Sequence, residues 1–279
     1  MAVAVVTDST SDIDPARAAR LGVTVVPLFV TFGDRSYRDY VDLSRADFYS
    51  KLLSERELPA TSQPTAAMFE EAFTRQHAEE LLCITISSHL SGTINSAQVA
   101  ADRLIGRRVE IFDSQSASAG LGLMVLRACE MAGRGASLDE ILAALEAERA
   151  SQRLYACIPD LSHLQRTGRI GRAQAALGTL MRIVPVLSFE NGQVVAKAQV
   201  RTFSRAQEAM LDLVLADVED VAKARFVVMH TNAPELAAAN LQLLLQRLGN
   251  ARPHSAEIWE AGPVIATHGG PGAVGICIG

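Results

Sequence analysis

Two short segments of the chain carry polar groups whose types and spacing suit the binding of a small anion. One is SSHLSGT at residues 87–93, and the other is HGGPGA at residues 268–273. Each joins hydroxyl, imidazole or glycine groups to an apolar run, and α/β folds hold anions at such strand ends and helix N-termini. Neither segment pairs a nucleophile with an obvious base, so the pattern favours a receptor for a carboxylate or phosphate over a hydrolase.

A hydroxyl-rich loop, PATSQP at residues 59–64, offers a third candidate. Thr61 is either a ligand donor or part of the cap of the following helix. Ser91 has the same two interpretations, although Gly92 beside it also leaves backbone N–H groups open to an anion. For His268, a satisfied structural histidine and a ligand-binding histidine both remain open.

Other patterns that suggest chemistry have simpler explanations. Gly270, Gly272 and Gly275 match GxGxxG, but too few residues follow for the helix and strand of a dinucleotide site. We expect a tight glycine turn there, leading into a last strand. The acidic DSTSD at residues 8–12 is interpreted as a strand-to-helix turn with several caps. The histidines and cysteines show no metal-ligand spacing, so neither a metal site nor a catalytic group is predicted.

Composition narrows the class of protein. The 279 residues are 49% hydrophobic, enough for two cores. A net charge of −5 and 5% aromatic content argue against nucleic-acid binding, and no apolar stretch is long enough for stable membrane insertion. The four cysteines lie far apart, which predicts reduced thiols and a cytoplasmic location. The apolar start of the chain is interpreted as a first strand rather than a signal peptide.

The elements that must position these groups follow an alternating order in the first half. Apolar runs predict buried parallel strands at 2–6, 23–30, 81–86 and 109–112. Helical patterns lie between and after them, at 15–21, 44–53, 65–75, 92–104, 121–132 and 138–148. We therefore predict a three-layer α/β/α domain with a parallel sheet over residues 1–151.

The pattern changes near residue 151. Strands are predicted at 154–158, 183–189, 194–200, 225–229, 256–260 and 274–278, with helices at 204–218 and 234–248. Asn191-Gly192 between two apolar runs predicts a hairpin. Residues 152–279 are thus expected to form a smaller α/β domain with a mixed sheet.

Taken in order, the motifs resemble those of the DegV family, the fatty-acid-binding subunits of bacterial fatty acid kinase. The matching segments are TDSTSD, PATSQP, SSHLSGT, DSQSASAGLG, LSHLQRTGRI, the Pro185 strand with its Asn191-Gly192 hairpin, VRTFSRA and HGGPGAVG. The resemblance covers essentially the whole chain, and the order of the motifs is what makes it specific.

The resemblance implies a long-chain fatty acid in an interior tunnel, with its carboxylate near the cleft between the two domains. It further implies that Thr61, Ser91 and His268 bind the carboxylate, with Ser62, Gly92, Thr93 and Gly269 in support. A separate ATP-dependent kinase subunit would phosphorylate the acid, so this chain is expected to be a carrier without a cofactor. The alternative is a small-molecule hydrolase or phosphotransferase that uses Ser91 and His268.

The chain departs from the usual pattern of the family at two positions. Val184 stands where the family usually has lysine, and Thr167-Gly168 stands where it has paired glycines. Both are expected to lie away from the carboxylate motifs.

Arg166, Arg169 and Arg172 cluster in an otherwise acidic protein. Arg169, with Arg201, is therefore predicted to dock the kinase partner, and the alternative is an internal ion pair.

Overall fold

The computed structural model describes residues 3–55, 57–177 and 183–279. The chain divides into two compact units: Met1–Ser151 with Gly262–Val264, and Gln152–Ala261 with Ile265–Gly279. A short segment from late in the chain thus belongs to the first unit.

The first unit alternates strands and helices, as its sequence predicts. Its strands are β1 (Val3–Asp8), β2 (Thr24–Val26), β3 (Phe29–Phe32), β4 (Arg35–Arg38), β5 (Ala60–Ser62), β6 (Glu80–Thr85) and β7 (Arg108–Asp113). Its helices are α1 (Pro15–Leu21), α2 (Arg45–Ser54), α3 (Ala66–Thr74), α4 (Thr93–Arg103), α5 (Ala119–Gly133) and α6 (Leu138–Ser151).

The main sheet of this unit has the order β2-β1-β6-β7, and all of its pairs are parallel. Side chains alternate between its two faces. On one face, Val6 and Cys83 pack with Phe69 and Phe73 of α3 and with α4. The opposite face carries buried residues such as Ile84, and α5 and α6 contact these strands. The predicted three-layer arrangement with a parallel sheet is confirmed.

The run at 23–30 is not one strand, because Pro27 interrupts it and provides no N–H for a sheet hydrogen bond. The run divides into β2, in the parallel sheet, and β3, in a second sheet. That second sheet has the order β4-β3-β5 and is antiparallel. The prediction of a single buried strand here is wrong, and the small antiparallel sheet was not predicted.

The second unit contains one six-stranded mixed sheet of order β10-β9-β8-β13-β11-β12, in which only β11 and β12 pair in parallel among the described strands. Its strands are β8 (Arg153–Cys157), β9 (Val184–Glu190), β10 (Gln193–Val200), β11 (Arg225–His230), β12 (Ser255–Glu260) and β13 (Val274–Ile278). Its helices are α7 (Ser162–Arg166), α8 (Ala173–Leu177), α9 (Phe203–Asp217), α10 (Pro234–Leu248) and α11 (Pro263–Gly269), the last beginning in the segment assigned to the first unit.

The core of this unit lies between one face of the sheet and helices α9 and α10. Phe226 and Ile276 from the sheet pack there against Met210 of α9 and Leu244 of α10. The hairpin β9–β10 turns at Asn191 and Gly192, whose φ angles of 48° and 77° are those of the predicted turn. The mixed sheet of the fold prediction is confirmed.

Candidate functional site

The parallel sheet directs its polar groups to the carboxyl ends of β1, β6 and β7. In the order β2-β1-β6-β7, the chain moves outward in opposite directions from β1 and from β6. In open α/β sheets, ligands usually bind where the strand order reverses in this way, outside the carboxyl ends of the two strands. The segment SSHLSGT follows β6 directly, so the fold brings one predicted anion site to this position.

Two aspartates on the flanking strands hold that segment in place. Asp8, at the end of β1, accepts hydrogen bonds from Thr10 N at 2.9 Å and from Ile86 N at 2.8 Å. Asp113, at the end of β7, accepts one from Ser88 N at 3.2 Å. Both carboxylates therefore satisfy backbone donors around the end of β6. The interpretation of Asp8 as a capping residue is supported, and both aspartates fix the path of the chain toward Ser91.

The turn before α4 arranges hydroxyl groups around a helix N-terminus. Ser91 Oγ lies 2.9 Å from Thr93 Oγ1 and accepts a 3.3 Å hydrogen bond from Thr93 N. Gly92 occupies the cap position without a side chain, and Thr93, the first residue of α4, is fully buried. Ser91 thus lies beside the positive end of α4, where a bound anion would be stabilised.

Thr61 lies in the middle of β5, where it pairs with Val30 of β3 and is half-buried. The capping explanation does not hold for it, because Thr65 caps α3 by accepting a hydrogen bond from Met68 N. Ser62 ends the strand and is exposed. Thr61 is therefore not the cap of α3, and its role as a ligand donor stays a prediction.

Gln63 connects the Thr61 strand to the Ser91 turn. Its Nε2 donates a 2.9 Å hydrogen bond to Ser96 Oγ in the first turns of α4. Its Oε1 lies against Gly92, where a Cβ atom would come within 2.2 Å. Gln63 belongs to the PATSQP segment, but no role was predicted for it. Only its position two residues after Thr61 could have drawn attention to it.

A buried acidic cluster lies in the same unit and includes the late segment. Asp12 accepts a 2.8 Å hydrogen bond from Gly262 N and another from the Ser118 hydroxyl. Burial, opposed by these hydrogen bonds, raises the pKa of Asp12 to about 7. Burial also raises the pKa of Asp39 to about 8, and the charge of Asp12 adds to that effect. This cluster anchors the start of α11 and was not predicted.

In the second unit, His268 lies near the end of α11 and is half-buried. This helix was not predicted, whereas the predicted glycine turn follows it, with Gly270 and Gly272 at positive φ before β13. Pro263 at the first position of the helix and the positive φ of Gly270 just after its end were available signals. Gly269, the last residue of α11, is buried.

The imidazole of His268 is held by a neighbour that the sequence analysis placed elsewhere. Its Nδ1 lies 2.8 Å from Thr167 Oγ1. Burial, together with the positive charge of Arg169 and of His163, lowers the pKa of His268 to about 4. The expectation that Thr167 lies away from the carboxylate motifs is therefore wrong. Because α11 turns His268 toward the segment after α7, the two motifs meet within this unit.

The basic segment is divided between internal and exposed positions. Arg169 Nη1 donates a 2.6 Å hydrogen bond to Thr167 O, and Arg169 is half-buried. Arg166, Arg172 and Arg201 are exposed. Arg169 thus has an internal contact with a backbone carbonyl.

The contacts of His268 bear on the enzymatic alternative. The charged groups that act on its pKa are Arg169 and His163, and neither is the carboxylate that orients the histidine of a catalytic triad. Ser91 has its hydroxyl contact with Thr93. Hydroxyl and imidazole groups of this kind can orient an anion.

The described residues also bear on metal sites and membrane spans. Across 3–55, 57–177 and 183–279, no cluster of three or more His, Cys, Asp or Glu side chains is arranged to hold a metal ion. Within the same ranges, none of the helices combines the length and apolar character needed to cross a bilayer.

Known proteins match this chain over essentially its full length. The family model of the DegV family matches residues 2–279. A DegV domain-containing protein from Deinococcus radiodurans is 38% identical, covering 100% of this chain and 98% of that protein. Among solved structures, a fatty-acid-binding DegV family protein from Thermus thermophilus is 37% identical, with a TM-score of 0.92 and 100% and 99% coverage of the two chains. The fatty acid binding protein DegV from Bacillus subtilis is 33% identical, with a TM-score of 0.90 and the same coverage.

Proposed function

The chain belongs to the DegV family, and from that premise we propose that it binds a long-chain fatty acid and presents the carboxylate to a partner enzyme. The observation that carries this proposal is the full-length match, at a TM-score of 0.92, to a fatty-acid-binding member. Hydroxyl groups at the switch point of the sheet support it, because they suit a carboxylate and lack a catalytic base.

The proposed carboxylate ligands are Thr61, Ser91 and His268, with Ser62, Gly92, Thr93 and Gly269 shaping the surrounding backbone. A carboxylate is costly to bury without partners, and hydroxyl and N–H donors offset that cost. None of the three ligands is a fixed cation. Weak neutral donors orient the head group and leave an oxygen available for phosphoryl transfer.

Affinity in this proposal comes mainly from the acyl chain. About 14 methylene groups at ~0.8 kcal/mol each correspond to roughly 11 kcal/mol of transfer free energy. Ordering the chain and losing translational freedom offset a large part of it. The head-group residues therefore determine orientation more than affinity.

The partner in this proposal is an ATP-dependent fatty acid kinase subunit, which converts the presented acid to an acyl phosphate. The chain itself is then a carrier that acts in the cytoplasm, where the kinase has its ATP. Arg169 and Arg201 are the residues proposed to meet this partner, because clustered arginine recognises phosphate and carboxylate groups.

Native mass spectrometry of the protein purified from its own host, followed by lipid extraction, tests the proposal. We expect a mass increment that corresponds to one fatty acid, which is recovered in the extract. A protein that carries no acid, binds none on addition and hydrolyses an ester would establish the enzymatic alternative instead.

A further inference from the structure

His163 caps the end of helix α11, one residue before His268. The last carbonyl groups of a helix have no N–H partner within it. The Ala266 carbonyl of α11 accepts a 2.9 Å hydrogen bond from Gly270 N, just after the helix. The next carbonyl, that of Thr267, lies 3.1 Å from His163 Nδ1. Because a carbonyl oxygen can only accept, His163 Nδ1 must carry a proton and donate it to Thr267 O.

Packing holds the His163 ring in this position. The residue is only 8% exposed. Gly270 lies against the ring, because a Cβ atom there would come within 2.9 Å of His163 Cδ2 and 3.2 Å of Nε2. The ring therefore contacts the chain on both sides of His268, at Thr267 before it and at Gly270 after it.

Helix α7 contacts this part of α11 through two residues of one face. His163 and Thr167 are four positions apart, so they lie one helical turn from each other. Thr167 N and Thr167 Oγ1 both donate to His163 O, at 3.1 Å and 2.7 Å. Thr167 Oγ1 also lies 2.8 Å from His268 Nδ1. Two linked residues thus meet α11, one at the backbone of Thr267 and the other at the ring of His268.

The glycine turn after α11 has an anchor of its own. Thr231, which follows β11, donates from Oγ1 to Gly270 O at 2.6 Å and accepts from Ala273 N at 2.9 Å. Loss of the His163 contact should therefore loosen the last turn of α11, while the glycine turn stays attached to the end of β11. We expect substitutions at His163 to leave a folded protein for this reason.

A binding group is effective only when the residues around it fix its direction. On the basis of the proposed fatty-acid site, we propose that His163 is a positioning residue, whose Nδ1–H fixes the last turn of α11 so that the ring of His268 faces the carboxyl group of the acid. His163 itself does not touch the ligand in this scheme. Loss of its hydrogen bond therefore weakens binding only through His268.

Titration calorimetry with dodecanoic acid tests this role. His163→Leu removes the donor, and affinity should fall about threefold to tenfold, as expected for one lost hydrogen bond. His163→Asn places an amide N–H close to the position of Nδ1 and should restore most of the affinity. His254→Leu replaces an exposed histidine of the same unit and is the matched control, for which we expect normal binding. Unchanged affinity in His163→Leu, or no recovery in His163→Asn, would overturn the proposal.

A double-mutant cycle with His268→Ala separates positioning from packing. His268→Ala should itself weaken the binding of dodecanoic acid. In that background, His163→Leu should have no further effect, because the ring that it positions is gone. A loss of the same size in both backgrounds would show that His163 only supports the packing of its unit, contrary to the proposal.

Nitrogen-15 NMR tests the hydrogen bond in the original protein. With the protein labelled at histidine and His163 assigned by comparison with His163→Asn, the spectrum should show a proton on Nδ1. A ring with its only proton on Nε2 could not donate to Thr267 O. That result would overturn the proposal even if His163→Leu fails to fold.

The titrations distinguish failure of this inference from failure of the proposed function. If the original protein binds neither dodecanoic acid nor longer acids, the proposed fatty-acid function fails, and the role of His163 fails with it. If the acids bind and His163→Leu binds them equally well, the function stands and His163 is only a structural cap.

Discussion

Gln63 lies directly over Gly92: a Cβ atom at position 92 would come within 2.2 Å of Gln63 Oε1. The φ of Gly92 is −74°, which any residue can adopt, so the glycine is required by Gln63 rather than by the backbone. The amide of Gln63 also donates to Ser96. This contact links Gln63, two residues after Thr61, to the helix that follows the Ser91 turn.

Gly92→Ala should push the Gln63 amide away and break its hydrogen bond to Ser96. Loss of one such bond is worth roughly 0.5–1.5 kcal/mol, so fatty-acid affinity should fall about threefold to tenfold. Titration calorimetry measures the change. In a Gln63→Ala background the same substitution should have no further effect, and full additivity would show that Gly92 acts by another route.

Ser91→Ala and Thr61→Ala should each weaken fatty-acid binding by roughly 1–3 kcal/mol, because each removes a hydrogen bond to a charged group. The double variant should lose less than the sum, since both hydroxyls act on one carboxylate. Ser151→Ala, at an exposed hydroxyl on α6, is the matched control and should bind normally. Unchanged affinity in both single variants would remove these residues from the site.

Arg169→Ala should leave fatty-acid binding intact but reduce acyl phosphate formation with the kinase partner severalfold. The remaining rate should depend less on salt, because a charge that steers association is lost. Arg172→Ala removes an exposed charge from the same segment and serves as the comparison. Normal phosphorylation together with a lower melting temperature would mean that the Arg169 contact with Thr167 O is its whole role.

Asp39→Asn should change how stability depends on pH. The fold favours the neutral form of Asp39, whose pKa is raised to about 8 by burial first and by the charge of Asp12 second. Stability from this group is therefore present below the unfolded pKa near 4 and is lost as the pH rises to about 8. The slope is at most about 1.4 kcal/mol per pH unit. Urea unfolding should show the variant gaining on the original protein between pH 5 and pH 8, and parallel curves would contradict it.

Gly270→Ala should destabilise the second unit for two reasons. Its φ of +67° costs an L-residue about 1–2 kcal/mol, and a Cβ there would lie 2.9 Å from His163 Cδ2. Gly106 has a φ of +84° and open space around it, so Gly106→Ala carries only the backbone cost. Chemical denaturation should show the larger loss for Gly270→Ala. Equal losses would mean that the His163 ring moves aside easily.

Local patterns predict most elements of both units. Helices at 15–21 and 234–248 and the strand at 274–278 have the predicted bounds. Period, caps and turn residues are local properties, and Asp14 shows this by accepting a hydrogen bond from Arg17 N at the start of α1. Hydrophobicity alone was misleading for the apolar run at 23–30, because Pro27 divides it into the two strands β2 and β3.

Long-range polar contacts could not be predicted in this way. Thr167 and His268 are 101 positions apart, and nothing in either motif indicates that they meet. Gln63 and Ser96 are 33 positions apart, and Ser96 lies just beyond the SSHLSGT motif. Such pairs depend on how strands are ordered in the sheets, which local patterns do not determine. The motifs identify candidate ligands, whereas the residues that position them come from the fold.

Gly262 has a consequence for how the protein is made. The first unit is otherwise complete at Ser151. However, Asp12 accepts a hydrogen bond from the backbone N–H of Gly262, a residue that is synthesised 250 positions later. Until that residue leaves the ribosome, Asp12 lacks this backbone donor. The last strand of the second unit, β13, is central to its sheet and is translated even later. A message cut short before these codons therefore yields two unfinished units rather than one finished and one missing.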